Sequence, residues 1–195
     1  MIDLSKFNGI IFDMDGTLVD SMSAHIRAWE ITCEEFGYPF DSDYHYSLGG
    51  VPTVNTVGLL NEKHGKTHDT SEVAAFKKVQ YERLAHTPDL IEDTLRVFKH
   101  YLGKLPMSVG TGSDRAHADH VLSHHGLHHQ LNAIVTADDV SNGKPHPETF
   151  LKAAELMGIP ANECVVFEDT NIGREAAERA GMHCIMVING KVQSV

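Results

Sequence analysis

Four short polar stretches in this 195-residue sequence carry residue types suited to chemistry: Asp13-Met14-Asp15-Gly16-Thr17, Thr111-Gly112-Ser113, Gly143-Lys144-Pro145 and Glu168-Asp169. Together they offer acids, hydroxyls and one lysine. A phosphoryl group in transfer carries its charge on equatorial oxygens, so it needs cations and hydrogen-bond donors around it. Carboxylates alone would repel it. Gathered beside one lysine, they make sense around a hard cation such as Mg²⁺, which prefers oxygen ligands and completes its shell with water and substrate phosphate. A carboxylate neutralised in this way can approach phosphorus as a nucleophile. A second acid two residues further on can protonate the departing alkoxide and later take a proton from water. Singly, each stretch has a plainer explanation. Asp-Gly-Thr after a strand is usually a turn, Glu-Asp often caps a helix, and Lys-Pro and Thr-Gly-Ser are common in solvated loops.

The apolar pattern predicts that the four stretches meet. Gly9-Ile10-Ile11-Phe12 is a short apolar run that stops at Asp13. Met107-Ser108-Val109-Gly110, Ala133-Ile134-Val135, Cys164-Val165-Val166-Phe167 and Cys184-Ile185-Met186-Val187-Ile188 read as further strands. Helical patterns lie between them at 114–125, 147–157 and 171–180, preceded by a stripe of Ile91, Leu95, Phe98 and Leu102. Strands alternating with helices predict a doubly wound, parallel, Rossmann-like sheet in an α/β fold. Ligands in such sheets bind beyond the carboxyl ends of the strands, where all four stretches fall. Between 18 and 87 no strand pattern occurs. Met22, Ile26, Trp29, Cys33 and Phe36 recur at spacings of three and four, with Asp20 and Ser21 as capping candidates and Gly37 as the stop. Helical patterns follow at 53–64 and 71–85. The expected organisation is a core of 1–17 and 88–195 with a small helical cap, 18–87, inserted after the first strand.

The order and identity of these residues resemble the haloacid dehalogenase-like superfamily over essentially the whole chain. Phe12-Asp13-Met14-Asp15-Gly16-Thr17-Leu18 is similar to its first motif, Thr111 to its second, Lys144 to its third and Glu168-Asp169 to its fourth. The resemblance implies that Asp13 is the nucleophile and Asp15 the general acid/base, and that Thr111 and Lys144 bind phosphate, with Lys144 also holding Asp13. It implies Mg²⁺ on Asp13, the Asp15 backbone carbonyl and Asp169, with Glu168 in the metal's neighbourhood. The insert resembles the cap of the β-phosphoglucomutase-like subgroup, in Asp20, His25 and Trp29 and in the loop Ser47-Leu48-Gly49-Gly50-Val51-Pro52-Thr53. The wording is closest to fructose-1-phosphate phosphatase-like proteins. His25, Gly49, Thr53, Gly112, Ser113 and Arg115 are the substrate-binding candidates. In β-phosphoglucomutase-like enzymes the loop matching 48–53 carries Lys and Arg, whereas Gly49 and Thr53 are uncharged. Water is therefore the expected acceptor and a small sugar monophosphate the expected substrate, with a mutase as the alternative and a non-catalytic phosphate-binding protein as the alternative of another class.

Several readings are set aside. A dehalogenase has no need of Asp15, and a phosphonatase needs a cap lysine, which 18–62 lacks. A net charge of −11 disfavours nucleic acid and anionic lipid as partners. There is no long apolar run and no signal-peptide pattern, and Cys33, Cys164 and Cys184 form no close pair, as in a cytoplasmic protein. His117, His120, His124, His125, His128 and His129 crowd one segment, and His120 and His124 have a metal-bridging spacing, yet no acidic or Cys third ligand accompanies them, so a solvated helix face is expected.

Overall fold

The computed structural model of the chain describes residues 2–84 and 87–194. Its centre is a six-stranded sheet built of β1 (Gly9–Phe12), β2 (Met107–Gly110), β3 (Ala133–Val135), β4 (Cys164–Glu168), β5 (His183–Ile188) and β6 (Lys191–Val192), in the order β3-β2-β1-β4-β5-β6. The first five pair in parallel, which requires both faces to be covered. Their runs are accordingly apolar on both sides, and β1, β2 and β4 are buried throughout.

Alternate residues feed two cores. Ile10, Phe12, Val109 and Phe167 pack with Val97 and Phe98 of α5 (Glu92–Tyr101) and with Ala118, Val121 and Leu122 of α6 (Arg115–His124). On the opposite face Ile11, Val135 and Val166 meet Phe150 and Ala153 of α7 (Glu148–Met157) and Ala176 and Ala177 of α8 (Asn171–Arg179). Of the expected α5 stripe, Ile91 and Phe98 are buried and Leu95 packs against the same core, joined by Thr94 and Val97, while Leu102, beyond the helix, is exposed. Thr94 is drawn inward because its hydroxyl donates to the Thr17 carbonyl at 2.6 Å.

Between β1 and α5 lie α1 (Met22–Phe36), α2 (Ser42–Ser47), α3 (Thr53–His64) and α4 (Thr70–Leu84). They share an apolar cluster of their own, formed by Trp29, Cys33, Tyr38, Val57, Leu60 and Val73. Helix α2 was not expected from the sequence; Asp41 caps it by accepting from the Tyr44 amide at 3.0 Å. Gly37 ends α1 at φ 65°, as expected, but the Ser21 hydroxyl makes no cap bond and donates to Asp15 instead. Where the chain leaves the sheet and returns, the two passages run side by side. Asp20 N donates to Asp89 O at 2.8 Å, and Ile91 N donates to Leu18 O at 2.9 Å. Of the cap expected at 18–87, Ala85 and His86 lie outside the described residues.

Strand β6 is a further element the sequence did not announce. Asn189 and Gly190, with φ of 51° and 69°, turn the chain so that Lys191–Val192 pairs antiparallel with β5.

Candidate active site

Strand register assembles the site. Phe12 lies opposite Val109 on β2 and Phe167 on β4. The next residue along β1 is Asp13, so it emerges between the ends of β2 and β4, with Thr111 one step beyond Gly110 and Glu168 on the other side. β3 ends level with β2, Val135 opposite Gly110, and the following turn returns Lys144 to the same edge.

The Lys144 ammonium is held 2.7 Å from Asp13 Oδ1 and 3.0 Å from Glu168 Oε1, with all three side chains at most 3% exposed. The second Glu168 oxygen accepts from the Thr170 amide and hydroxyl. Glu168 thus anchors the lysine. It also explains Gly173 in the first turn of α8, where a Cβ would come within 1.8 Å of Glu168 Oε1. Asp169 accepts from the Thr17 hydroxyl at 3.3 Å and from the Tyr46 hydroxyl of α2 at 3.1 Å.

Oxygens of Asp13, Glu168 and Asp169 lie within 4.8 Å of one another. Burial pushes the Asp13 carboxyl well above the usual carboxylate range, opposed by Lys144 and reinforced by Glu168 and Asp169. Burial and the Glu168 charge push Asp169 up to about 7. Lys144 is held firmly protonated: its two carboxylate partners outweigh the cost of burying it. Three crowded acids against one ammonium leave surplus negative charge in an all-oxygen donor set, which fits a hard divalent cation.

Asp15 points elsewhere. Its carboxylate accepts from the Ser21 hydroxyl at 2.6 Å, the Ser113 hydroxyl at 2.7 Å and His25 Nε2 at 3.3 Å. His117 Nε2 lies 3.8 Å from the same Oδ1, beyond hydrogen-bond range. Burial raises the Asp15 carboxyl, but the facing His117 and His25 more than offset this and hold it well below the usual range. It therefore rests as a carboxylate, ready to take a proton. His25 stacks on Tyr81, with ring centroids 4.1 Å apart, and its Nδ1 meets Lys77 Nζ at 2.7 Å. A lysine ammonium only donates, so Nδ1 accepts and the His25 proton sits on Nε2, facing Asp15. Burial, then the neighbouring Lys77 charge, lower His25 to about 4, so it is neutral near pH 7. Burial likewise lowers Lys77 to about 8.

The cleft above Asp13 is lined by Asp15, Thr111, Gly112 and Ser113 from one side and by His25, Trp29, Gly49, Gly50, Thr53 and Lys77 from the other. The 48–52 loop presses directly on the sheet edge. A Cβ on Gly112 would fall 2.1 Å from the Gly50 carbonyl oxygen, and one on Gly143 would fall 2.5 Å from the Pro52 ring. Of the six substrate-binding candidates, Arg115 alone does not line this cleft. Its guanidinium turns to Asp139, to Asp119 at 3.4 Å and to the Ile134 carbonyl at 2.8 Å. Sequence reasoning missed Lys77, His117 and Tyr46. For Lys77 a signal existed: with Val73, Gln80 and Tyr81 it makes the buried face of α4. The lack of lysine in 18–62 thus left the cleft with an amine all the same.

The haloacid dehalogenase-like hydrolase model matches residues 10–187. Fructose-1-phosphate phosphatase YqaB of Escherichia coli is 37% identical over 184 residues, covering 93% of this chain and 97% of its own. A phosphorylated carbohydrates phosphatase of Thermotoga maritima is 29% identical over 180 residues, covering 90% and 82%. Among solved structures, a putative β-phosphoglucomutase from Bacteroides vulgatus superposes with a TM-score of 0.84 at 27% identity, covering 94% of this chain and 76% of that one. No helix among the described residues is long and apolar enough to cross a membrane. A match running from the second residue of β1 into β5 takes in every strand end that carries the buried lysine and its acids, and on that ground the chain belongs to the haloacid dehalogenase-like hydrolase family.

Proposed function

We propose that this protein is a Mg²⁺-dependent phosphatase that hydrolyses a small sugar phosphate through a phosphorylated Asp13. The observation that carries the reading is the buried Lys144 clamped between Asp13 and Glu168 at the carboxyl edge of the sheet. It fixes the rotamer of the nucleophile and supplies a permanent positive charge where a phosphate would lie.

Asp13 and Asp169, with the Asp15 backbone carbonyl, would hold Mg²⁺, which when bound neutralises the acids and the phosphate oxygens. Lys144 and Thr111 bind and orient the phosphate. The Asp13 carboxylate oxygen forms the new bond to phosphorus as the sugar oxygen leaves. Asp15 gives that oxygen a proton, which requires it first to leave Ser21 and His25 and acquire one, and afterwards it takes a proton from the attacking water. We read helices α1–α4 as a cap that excludes bulk water during the first step and readmits it for the second. Gly49, Thr53, Gly112 and Ser113 would shape the ester site, with Trp29 and His25 on the side of the sugar.

Support for water as acceptor comes from the 48–53 loop, which brings no charged side chain to the cleft. The mutase alternative draws on Lys77, a cation on the cap side of the cleft. Lys77 is, however, buried and engaged with His25, and so is poorly disposed to hold a second phosphate. A panel of sugar monophosphates, fructose 1-phosphate included, assayed in parallel for inorganic phosphate and for isomerised sugar phosphate decides between them. Phosphate release without isomerisation is the expected result. Efficient isomerisation of β-glucose 1-phosphate with a bisphosphate activator and little phosphate release would instead establish a mutase.

A further inference from the structure

A second group of ligand-type atoms lies beside the magnesium cluster and differs from it in chemistry. One ligand-type atom from each of Asp15, His25 and His117 lies within 4.8 Å of the other two. Two of the separations are 3.3 Å, from Asp15 to His25, and 3.8 Å, from Asp15 to His117. Tetrahedral zinc with bonds of about 2.0–2.1 Å places its ligand atoms about 3.4 Å apart, and both Asp15–histidine pairs already lie near that spacing. His117 Nε2 is buried and has no hydrogen-bond partner, although it is aimed at a carboxylate. A buried polar nitrogen without a partner is costly, and a ligand would relieve that cost.

We propose that Asp15, His25 and His117 form a second metal site, specific for a zinc-class transition cation, with water as the fourth ligand. Two imidazoles and one carboxylate suit Zn²⁺, Co²⁺ or Ni²⁺ and discriminate against Mg²⁺, which takes oxygen ligands. The three ligands come from separate parts of the fold: the loop after β1, helix α1 and helix α6. An ion there ties the helical insert to the sheet.

The protons balance. His25 carries its hydrogen on Nε2 while Lys77 donates to Nδ1. When the metal takes Nε2, that proton leaves to solvent, the Lys77 proton passes to Nδ1, and Lys77 remains as a neutral amine accepting from Nδ1–H. One proton is released per ion bound. The Asp15 Oδ1 lone pair now facing His25 goes to the metal, and the one facing Ser21 is undisturbed. An ion in this position also withdraws Asp15 from proton transfer and opposes opening of the cleft. That inhibitory consequence, unlike the site itself, rests on the phosphatase reading.

The test uses the full chain with Mg²⁺ saturating, so that the acidic cluster is occupied, and titrates Co²⁺ as a spectroscopic probe and Zn²⁺ by calorimetry. The expected result is one ion per chain with the intense visible absorption of tetrahedral Co²⁺. Losing an outer-shell partner alone costs a metal site about 10–100-fold in affinity, so loss of a direct ligand should weaken Zn²⁺ binding by about 100-fold or more, and His117→Leu and the more conservative His117→Asn should each lose the spectrum. Asp169→Asn, which damages the magnesium cluster, should keep it. Folding of each variant is checked by circular dichroism. No tetrahedral Co²⁺ signal in the wild type, or a signal unchanged in folded His117→Leu and His117→Asn, overturns the site. A signal lost only on His120→Gln would assign the ion to the His120–His124 pair and likewise overturn it. In the same samples Zn²⁺ inhibition is read against each variant's own zinc-free rate, and it should shift to about 100-fold higher Zn²⁺ in His117→Leu. If no sugar phosphate is hydrolysed at all, the phosphatase reading fails, while the Co²⁺ and Zn²⁺ titrations still decide the site.

Discussion

Gly112→Ala probes the contact between the insert and the sheet edge with a single methyl group. The added Cβ would lie 2.1 Å from the Gly50 carbonyl oxygen and 2.7 Å from its carbon. Both are backbone atoms, so no side chain can rotate out of the way. Ordinary contact begins near 3.4 Å, which means the 48–52 loop must retreat by about 1.3 Å. Gly112 does not have a positive φ, so alanine adds no backbone strain of its own. The Gly112 backbone amide is retained. A displacement of about 1 Å in groups that position a substrate costs about 100-fold in rate, equivalent to about 2.7 kcal/mol of barrier. The expected outcome is therefore a fall of about 100-fold in kcat/KM for phosphate release, with Tm within a few degrees of wild type because the clash lies between two loops and outside all three apolar clusters. Gly143→Ala, whose Cβ would meet the Pro52 ring at 2.5 Å, should act in the same direction. Gly112→Ala with kcat/KM within threefold of wild type would refute the view that this contact must close for turnover.

Four further outcomes are expected. Asp13→Asn should fold and lose at least about 10³-fold in turnover; a freshly prepared, deamidation-free variant that still releases phosphate at near wild-type rates removes Asp13 as nucleophile. Activity should vanish in excess chelator and return with Mg²⁺ but not Ca²⁺, whose longer bonds and looser shell fit the cluster poorly, and full turnover in chelator would contradict the reading. The same cluster predicts a pH dependence of stability: Asp13 and Asp169 both have raised folded-state pKa values, so their contribution to stability is present below the ordinary carboxylate range and is lost as pH rises, for Asp169 through about 7. The gain in Tm on adding Mg²⁺ should therefore be larger at pH 8 than at pH 5, and equal gains at both would count against the acids as its ligands. Lys144→Met leaves two buried carboxylates without their counter-charge and should cost about 3–5 kcal/mol by denaturant unfolding at pH 7, in addition to activity.

The sheet and its reactive edge were legible because buried parallel strands must be apolar on both faces, which makes their polar ends conspicuous. Asp13, Thr111 and Glu168 could be assigned to that edge because each stands where an apolar run stops. What stayed hidden depends on choices made among distant partners. Arg115 follows the Thr111 turn, as a rim residue would, yet Asp119 and Asp139 compete for it and hold it away from the cleft. Lys77 sits on a helix with little amphipathic contrast, and its burial becomes intelligible only once His25, more than fifty positions earlier, lies against it. His117 looked like one more histidine in a run of them; its separation from its neighbours comes from the α6 face it occupies, beside the buried Ala118 and Val121. Helix α2 and strand β6 are too short for periodicity to reveal, although Asp41 and the Asn189-Gly190 pair were local signals for both.

The Asn189-Gly190 turn has a consequence for how copies of this chain behave toward each other. Without it, β5 would be the outermost strand, six residues long, with a row of free amides and carbonyls open to any strand that drifted past. The turn folds the following residues back onto β5, and the new margin is two residues long and carries the exposed Lys191. At the opposite side β3 offers only three residues. A sheet whose central strands are buried and largely apolar is thus bounded on both sides by margins too short to template a neighbour, one of them charged, so the features that gather acids and a lysine at the strand ends do not also build an aggregating edge along the strand sides.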